Sequence, residues 1–525
     1  MDSDSPALPD PLSVPDLPPA PDDTILSIKD LRTYFYTYDG VVKALDGVTL
    51  KIRRGETTGL VGETGCGKSV TAFSVTRLIS DPPGRVMGGK IVFDGANLLW
   101  RLEGEVKFKP VPKTPRVKVR RYFRRIKAAD NRMTAIRGRR IAMIFQEPSQ
   151  AMNPVFSVSN QLSEVLLLHR GIAIIDEMLG ATPKGPEVPA AIDGVVAAAA
   201  HRQREELVAA GKRLGEATAS PSLGTEVYHL ARSESTLSDD LRPMIERAIR
   251  RRHLSSGQRR YLLYRRRLME LQNEIYAVYL DEMRTESPKA GERRKIQTRQ
   301  LVTRLSHLYY GLWGVRSRIQ RPLKTETFWR SVRLLEGVSI ANPAQVARGY
   351  PHELSGGMLQ RVMIAMALSS DPDVLIADEP TTALDVTIQA QILELMRDMK
   401  HRVGTSILLI THDLAVIAEV ADRVCVMYAG QIVEQGTVAD VFRQPLHPYA
   451  QGLLASIPRF DQPDKELQSI PGSVPNLITP PSGCRFHPRC PHAMPVCKGE
   501  RPPMTVEGPD HTVACYLYTG PVAPD

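Results

Sequence analysis

Residues 62–69 read GETGCGKS, a match to the pattern G-x-x-x-x-G-K-[ST]. Glycines let a backbone curl until successive N–H groups point inward, and a helix starting there adds its positive end, so the loop can hold phosphates. Gly62, Glu63, Thr64, Gly65, Cys66, Gly67 and Val70 form the cradle and its exit into the helix. Lys68 can reach the outer phosphates and Ser69 can ligate Mg²⁺. An apolar run precedes the loop and a helical pattern follows, the context that this chemistry requires. A second piece, VLIADEP, carries Asp378 to the end of an apolar strand, where a carboxylate can hold Mg²⁺. Glu379, one residue on, is positioned to polarise an attacking water.

Residues 354–361, LSGGMLQR, open a helix on two glycines and form a second anion-binding N-terminus. With these residues the chain resembles the ABC ATPase family, whose signature contacts the γ-phosphate held by the opposite subunit. The resemblance gives that role to Ser355, Gly356, Gly357 and Gln360, with Asp385 of a D-loop at Ala383-Leu384-Asp385. It makes Gln146 the Q-loop glutamine, which also serves Mg²⁺, and His412 the switch histidine. Phe35 is the expected adenine-stacking ring, with Tyr34 and Tyr36 as rivals. It also implies a working dimer, because one signature cannot complete the site beside it.

The elements that must position these residues alternate as strands and helices, which predicts an α/β fold with a mainly parallel sheet covered on both faces. The family's fold, a P-loop ABC ATPase with a RecA-like sheet core and a helical subdomain, is the expectation. LSIKDLRTYF and ALDGVTLKI read as paired strands, and the helix carrying Ile388, Ile392, Leu395, Met396 and Met399 stops at Gly404. A proline- and aspartate-rich tail, 1–24, is expected to be disordered. The ATPase occupies 25–170 and 326–457, divided by a mostly helical stretch at 171–325. That stretch departs from ordinary family members, which have a much shorter connection there. Inside it, HLSSGQRR (253–260) and YAVYLDEM (276–283) echo a second signature and a second Mg²⁺ strand. No second glycine-lysine loop accompanies them, so they read as echoes.

The chain turns to proline, glycine and cysteine after Pro458, predicting a separate small module over 458–525. Cys484, Cys490, Cys497 and Cys515 crowd its end, and four thiolates suit zinc or an iron–sulfur cluster. The C-x₂₋₄-C knuckle usual for Zn²⁺ is missing, and the wider spacing suits a larger cluster. From HPYAQGLLASIPR to the last cysteine, this tail resembles the C-terminal extension of oligopeptide and dipeptide importer ATPases. The resemblance implies a 4Fe–4S cluster on the four cysteines. It also implies an ATPase driving two transmembrane permease subunits, with an extracytoplasmic solute-binding protein delivering di- or oligopeptides. The second ATPase of the dimer is either a sister subunit or a second copy.

Bulk properties set bounds on this reading. The 525 residues contain no apolar run of membrane-spanning length, and the N-terminus lacks a signal peptide's basic start and apolar core. The expected location is therefore the cytoplasmic face of the membrane, with partners supplying the channel. The net charge of +10 is uneven: residues 101–131 hold 11 Lys/Arg against 3 Asp/Glu, and 171–325 hold 27 against 18. Such segments suit solvated helix faces, permease contact or anionic lipid, and they also keep open a soluble ABC ATPase acting on nucleic acid.

Overall fold

The computed structural model describes residues 23–110, 117–180, 187–200, 204–217, 254–305, 307, 313–381, 385–456 and 470–518. The tail to residue 22, residues 218–253 and the D-loop pair Ala383-Leu384 lie outside the described residues. The chain divides into two units: one of 1–152, 276–289 and 355–525, the other of 153–275 and 290–354.

The first unit contains fourteen strands among the described residues. They are β1 (Thr24–Tyr36), β2 (Val41–Arg53), β3 (Thr57–Val61), β4 (Gly84–Phe93), β5 (Ala96–Asn97), β6 (Val106–Pro110), β7 (Val117–Arg121), β8 (Ile141–Ile144), β9 (Val374–Asp378), β10 (Ser406–Ile410), β11 (Arg423–Tyr428), β12 (Gln431–Thr437), β13 (Thr505–Val506) and β14 (Thr512–Val513). An eight-stranded sheet runs in the order β13-β14-β12-β11-β3-β10-β9-β8. Its five strands from β11 to β8 are parallel. Every residue of β3, β9 and β10 is buried, as expected of TTGLV, VLIAD and SILLI in a parallel sheet covered on both faces. The antiparallel sheet β2-β1-β4-β5 stands beside it in the chain, and β6-β7 form a hairpin in the basic 101–131 stretch.

The tail differs from the expected separate module. β14 pairs with β12 at Glu434↔Val513, and β13 pairs with β14, so strands within 505–513 extend the main sheet's edge. Two strands of two residues each are too short for any periodicity to announce them.

In the second unit, Val158–Gly180 and Trp313–Gly337 are long helices that run unbroken through positions 171 and 325. A cluster of Leu166, Ile174, Ile175, Tyr261, Leu262 and Leu323 forms a core. Leu262 is 1% exposed, and Leu262→Ala should cost about 2–5 kcal/mol through lost burial and a residual cavity. A lower thermal midpoint, with early proteolysis within 153–275, is the expected result; an unchanged midpoint would contradict this packing. Residues 256–260 of the first echo and all of the second lie on one helix, Ser256–Thr285, so YAVYLDEM is no strand. Glu282, in the place of a catalytic glutamate, accepts the Lys289 N–H instead. Among the described residues, no helix is long and apolar enough to cross a membrane.

Candidate nucleotide site

The parallel strands β3, β9 and β10 end side by side, with Ile410 paired to both Leu60 and Asp378. Ligands of open α/β sheets gather beyond such carboxyl ends. The 62–69 loop leaves β3 and delivers the Lys68–Val75 helix. Gly62, at φ 155°, is required sterically: a Cβ there would stand 2.2 Å from the Met427 carbonyl oxygen. The Gly430 N–H donates to the Cys66 carbonyl at 2.7 Å, tying the loop to the β11–β12 turn. Lys68 is buried, and its ammonium donates to the loop carbonyls of Gly62 at 2.7 Å and Glu63 at 3.1 Å. Burial also pushes the Cys66 thiol up, so it is a poor thiolate despite Lys68 nearby.

Ser69 donates through Oγ to Asp378 Oδ1 at 3.0 Å. Burial raises the Asp378 carboxyl to about 6, and the negative Glu379 adds to the rise. A cation arriving beside such a carboxyl offsets the burial penalty, which is the electrostatic condition for a Mg²⁺ ligand. Glu379 itself has φ 47°, a strained left-handed conformation just past β9, held by its N–H donating to Ile410 O at 2.9 Å. Gln146 Nε2 donates to Glu379 Oε2 at 2.9 Å, and His412 Nδ1 lies 3.2 Å from Glu379 Oε1. Three residues from distant parts of the sequence thus meet on one carboxylate.

The remaining expected residues fall elsewhere. Ser355 caps the Gly356–Leu368 helix, accepting the Met358 N–H, and both Ser355 and Gly356 begin it with no side-chain obstruction at Gly356. Gly357 lies in its first turn. Gln360 is 2% exposed and donates to the Pro380 carbonyl at 2.9 Å. It therefore braces its own chain next to Glu379. Asp385 caps the Val386–Val403 helix through Ile388 N–H. That helix buries Ile392 and Met396 and ends at Gly404, φ 75°. Phe35 is half-buried, and a Cβ on Gly84 would meet its ring at 2.6 Å. Tyr34 donates its hydroxyl to Asp46, while the Tyr36 ring is 38% exposed.

A family model described as ABC transporter matches residues 45–382, spanning the phosphate loop, the signature and the β9 carboxylates. The chain belongs to the ABC transporter ATPase family. A second match, over 433–497, is to the oligopeptide/dipeptide transporter C-terminal region, which puts this ABC ATPase in the oligopeptide/dipeptide branch. An AAA-domain model also matches 349–418. Among relatives, the Bacillus subtilis oligopeptide transport ATP-binding protein AppD is 32% identical over 94% of this chain and 97% of its own length. The B. subtilis dipeptide transport ATP-binding protein DppD is also 32% identical, over 94% of each chain. The Salmonella typhimurium oligopeptide transport ATP-binding protein OppD is 31% identical, over 95% of each.

In this ABC ATPase the C-terminal region reaches the phosphate loop, a contact that the sequence did not disclose. The Glu63 N–H donates to the Tyr449 hydroxyl at 2.8 Å, and Arg489 donates to the Glu63 carboxylate at 3.0 Å. Both residues belong to stretches noticed for other reasons, HPYAQGLL and FHPRC. His447 caps the Pro448–Ala455 helix, its Nδ1 accepting the Tyr449 N–H at 3.0 Å. Burial pushes its pKa down to about 3, so the ring stays neutral. A depressed histidine contributes stability above its unfolded pKa, near 6.5, and that stability is lost as pH falls toward 3. The thermal midpoint should therefore drop between pH 7 and pH 5, and His447→Asn, which keeps the cap, should shrink that drop. An equal drop in both proteins would contradict the neutral buried ring.

Cys484, Cys490, Cys497 and Cys515 line one small cleft with His447, Phe486 and Met494. All four are free thiols. Burial first, then the neighbouring thiols, pushes Cys484 up to about 11. Among the described residues no group of three or more His, Cys, Asp or Glu is arranged to hold a metal ion.

Proposed function

We propose that this ABC ATPase is the ATP-hydrolysing subunit of a membrane importer for di- or oligopeptides. The observation that carries the catalytic reading is the hydrogen-bonded line Gln146–Glu379–His412 beside the Ser69–Asp378 pair. ATP lies on the amides of 62–70 with Lys68 against its outer phosphates. Ser69, Gln146 and Asp378 hold Mg²⁺, and Phe35 stacks on adenine. Glu379 takes the proton of the attacking water as a general base, while His412 and Gln146 orient its two carboxylate oxygens. Ser355, Gly356 and Gly357 of a second ATPase, with its Asp385, close over the γ-phosphate, so hydrolysis requires a dimer. The names of the curated relatives, oligopeptide and dipeptide transport proteins, support peptide as cargo.

The ATPase works at the cytoplasmic face of the membrane against two permease subunits, with a solute-binding protein delivering cargo from outside. The basic helical stretch within 171–325 serves permease or anionic-lipid contact. Deleting it while transport and membrane association persist would rule that out. Affinity purification from mild-detergent membranes should recover two multi-span permeases. Recovery of ribosomes or DNA without any membrane protein would overturn the importer reading.

The four cysteines fit a multi-iron cluster better than one ion. They line one cleft, their sequence spacing is wider than that of a zinc knuckle, and thiols ionise readily when a metal supplies positive charge. Such a group would act as a staple for 484–515 or as a redox-sensitive element. Anaerobically purified protein should carry about four iron atoms per chain and lose them in Cys490→Ser. Zinc in their place, or no metal, would remove the cluster from the account.

A further inference from the structure

Glu63 sets an electrostatic problem. Its position in the G-x-x-x-x-G-K-[ST] pattern tolerates many residues, and a carboxylate there puts negative charge beside the phosphates that the loop exists to bind. The structure fixes all three polar groups of this residue. Its carbonyl accepts from Lys68, its N–H donates to Tyr449, and its carboxylate accepts from Arg489.

Arg489 is built to stay in place. Its side chain is 7% exposed, against 27% for Glu63. The guanidinium also donates to the carbonyls of Pro471 at 2.8 Å, Ile470 at 3.3 Å and Gly472 at 3.3 Å, and to the Tyr428 hydroxyl at 3.2 Å. It lies over the Tyr428 and Phe486 rings as well. A planar fork held by that many acceptors is a fixed cation, to which the more exposed carboxylate must come. Cys490, next in the chain, lines the four-cysteine cleft, so this clamp stands one residue from it in sequence.

We propose that Arg489 is a positioning residue for nucleotide binding: it holds the Glu63 carboxylate away from the incoming phosphates and cancels its charge. Tyr449 assists by fixing the Glu63 backbone. The inference rests on residues 62–69 being the nucleotide loop.

The test is binding of a fluorescent ATP analogue, with Mg²⁺, to full-length wild-type protein, Arg489→Ala and the double variant Arg489→Ala/Glu63→Gln. Arg489→Ala should bind about fivefold to thirtyfold more weakly, because an unpaired carboxylate now faces the phosphates. Removing that charge in the double variant should recover at least about fivefold of the loss. A merely structural arginine would give no such recovery, so equal weakness in both variants would overturn the proposal. So would wild-type affinity in Arg489→Ala. If Arg489→Ala does not fold, judged by circular dichroism, Arg489→Gln takes its place in the same comparison. Failure of the wild type to bind the analogue would overturn the nucleotide-loop reading itself, and the clamp with it.

Discussion

Replacing Glu379 with Gln slows ATP hydrolysis by about 10²–10⁴-fold while ATP binding is retained. The substitution keeps the side chain's size and its contact with Gln146, yet removes the basic oxygen that would take a proton from water. The strained φ of 47° at this position is unaffected by the change, so the fold should hold. An ATP-loaded dimer should accumulate, because closure is retained while the step that reopens it is blocked. Single-turnover hydrolysis and gel filtration with Mg·ATP give the two readouts. Hydrolysis within a factor of three of wild type would remove Glu379 from its role as base.

Lys68→Met should weaken ATP binding by about 100-fold and abolish measurable turnover at millimolar ATP. Lys68 is 6% exposed and carries a positive charge into a loop otherwise made of backbone dipoles. Methionine keeps the aliphatic stem packed but leaves the Gly62 and Glu63 carbonyls without their donor and the phosphates without their cation. The loss should appear in affinity first, in contrast to Glu379→Gln. Titration calorimetry separates the two. Unchanged affinity in Lys68→Met would mean that the amides alone hold the phosphates.

Much of this site was legible because its chemistry is local. The 62–69 loop, β9 with its two carboxylates and the residues around Ser355 each need fixed neighbours in the chain, so each leaves a short pattern. The buried runs TTGLV, VLIAD and SILLI marked the parallel core for the same reason. Gln360 is recognisable as part of a motif, whereas its contact with Pro380, twenty residues away, is not written in that motif. The tail's edge strands and the Arg489–Glu63 pair, 426 positions apart, depend on tertiary pairing alone. Nothing in the local sequence of either partner records such a contact.

The central claim, that ATP hydrolysis here drives peptide import, is tested most directly by uptake of a labelled oligopeptide in cells whose own copy of this chain is replaced by Glu379→Gln. The account predicts that uptake stops while the variant remains at wild-type abundance in the membrane fraction. Uptake at the wild-type rate, with the variant as the sole copy, would contradict it.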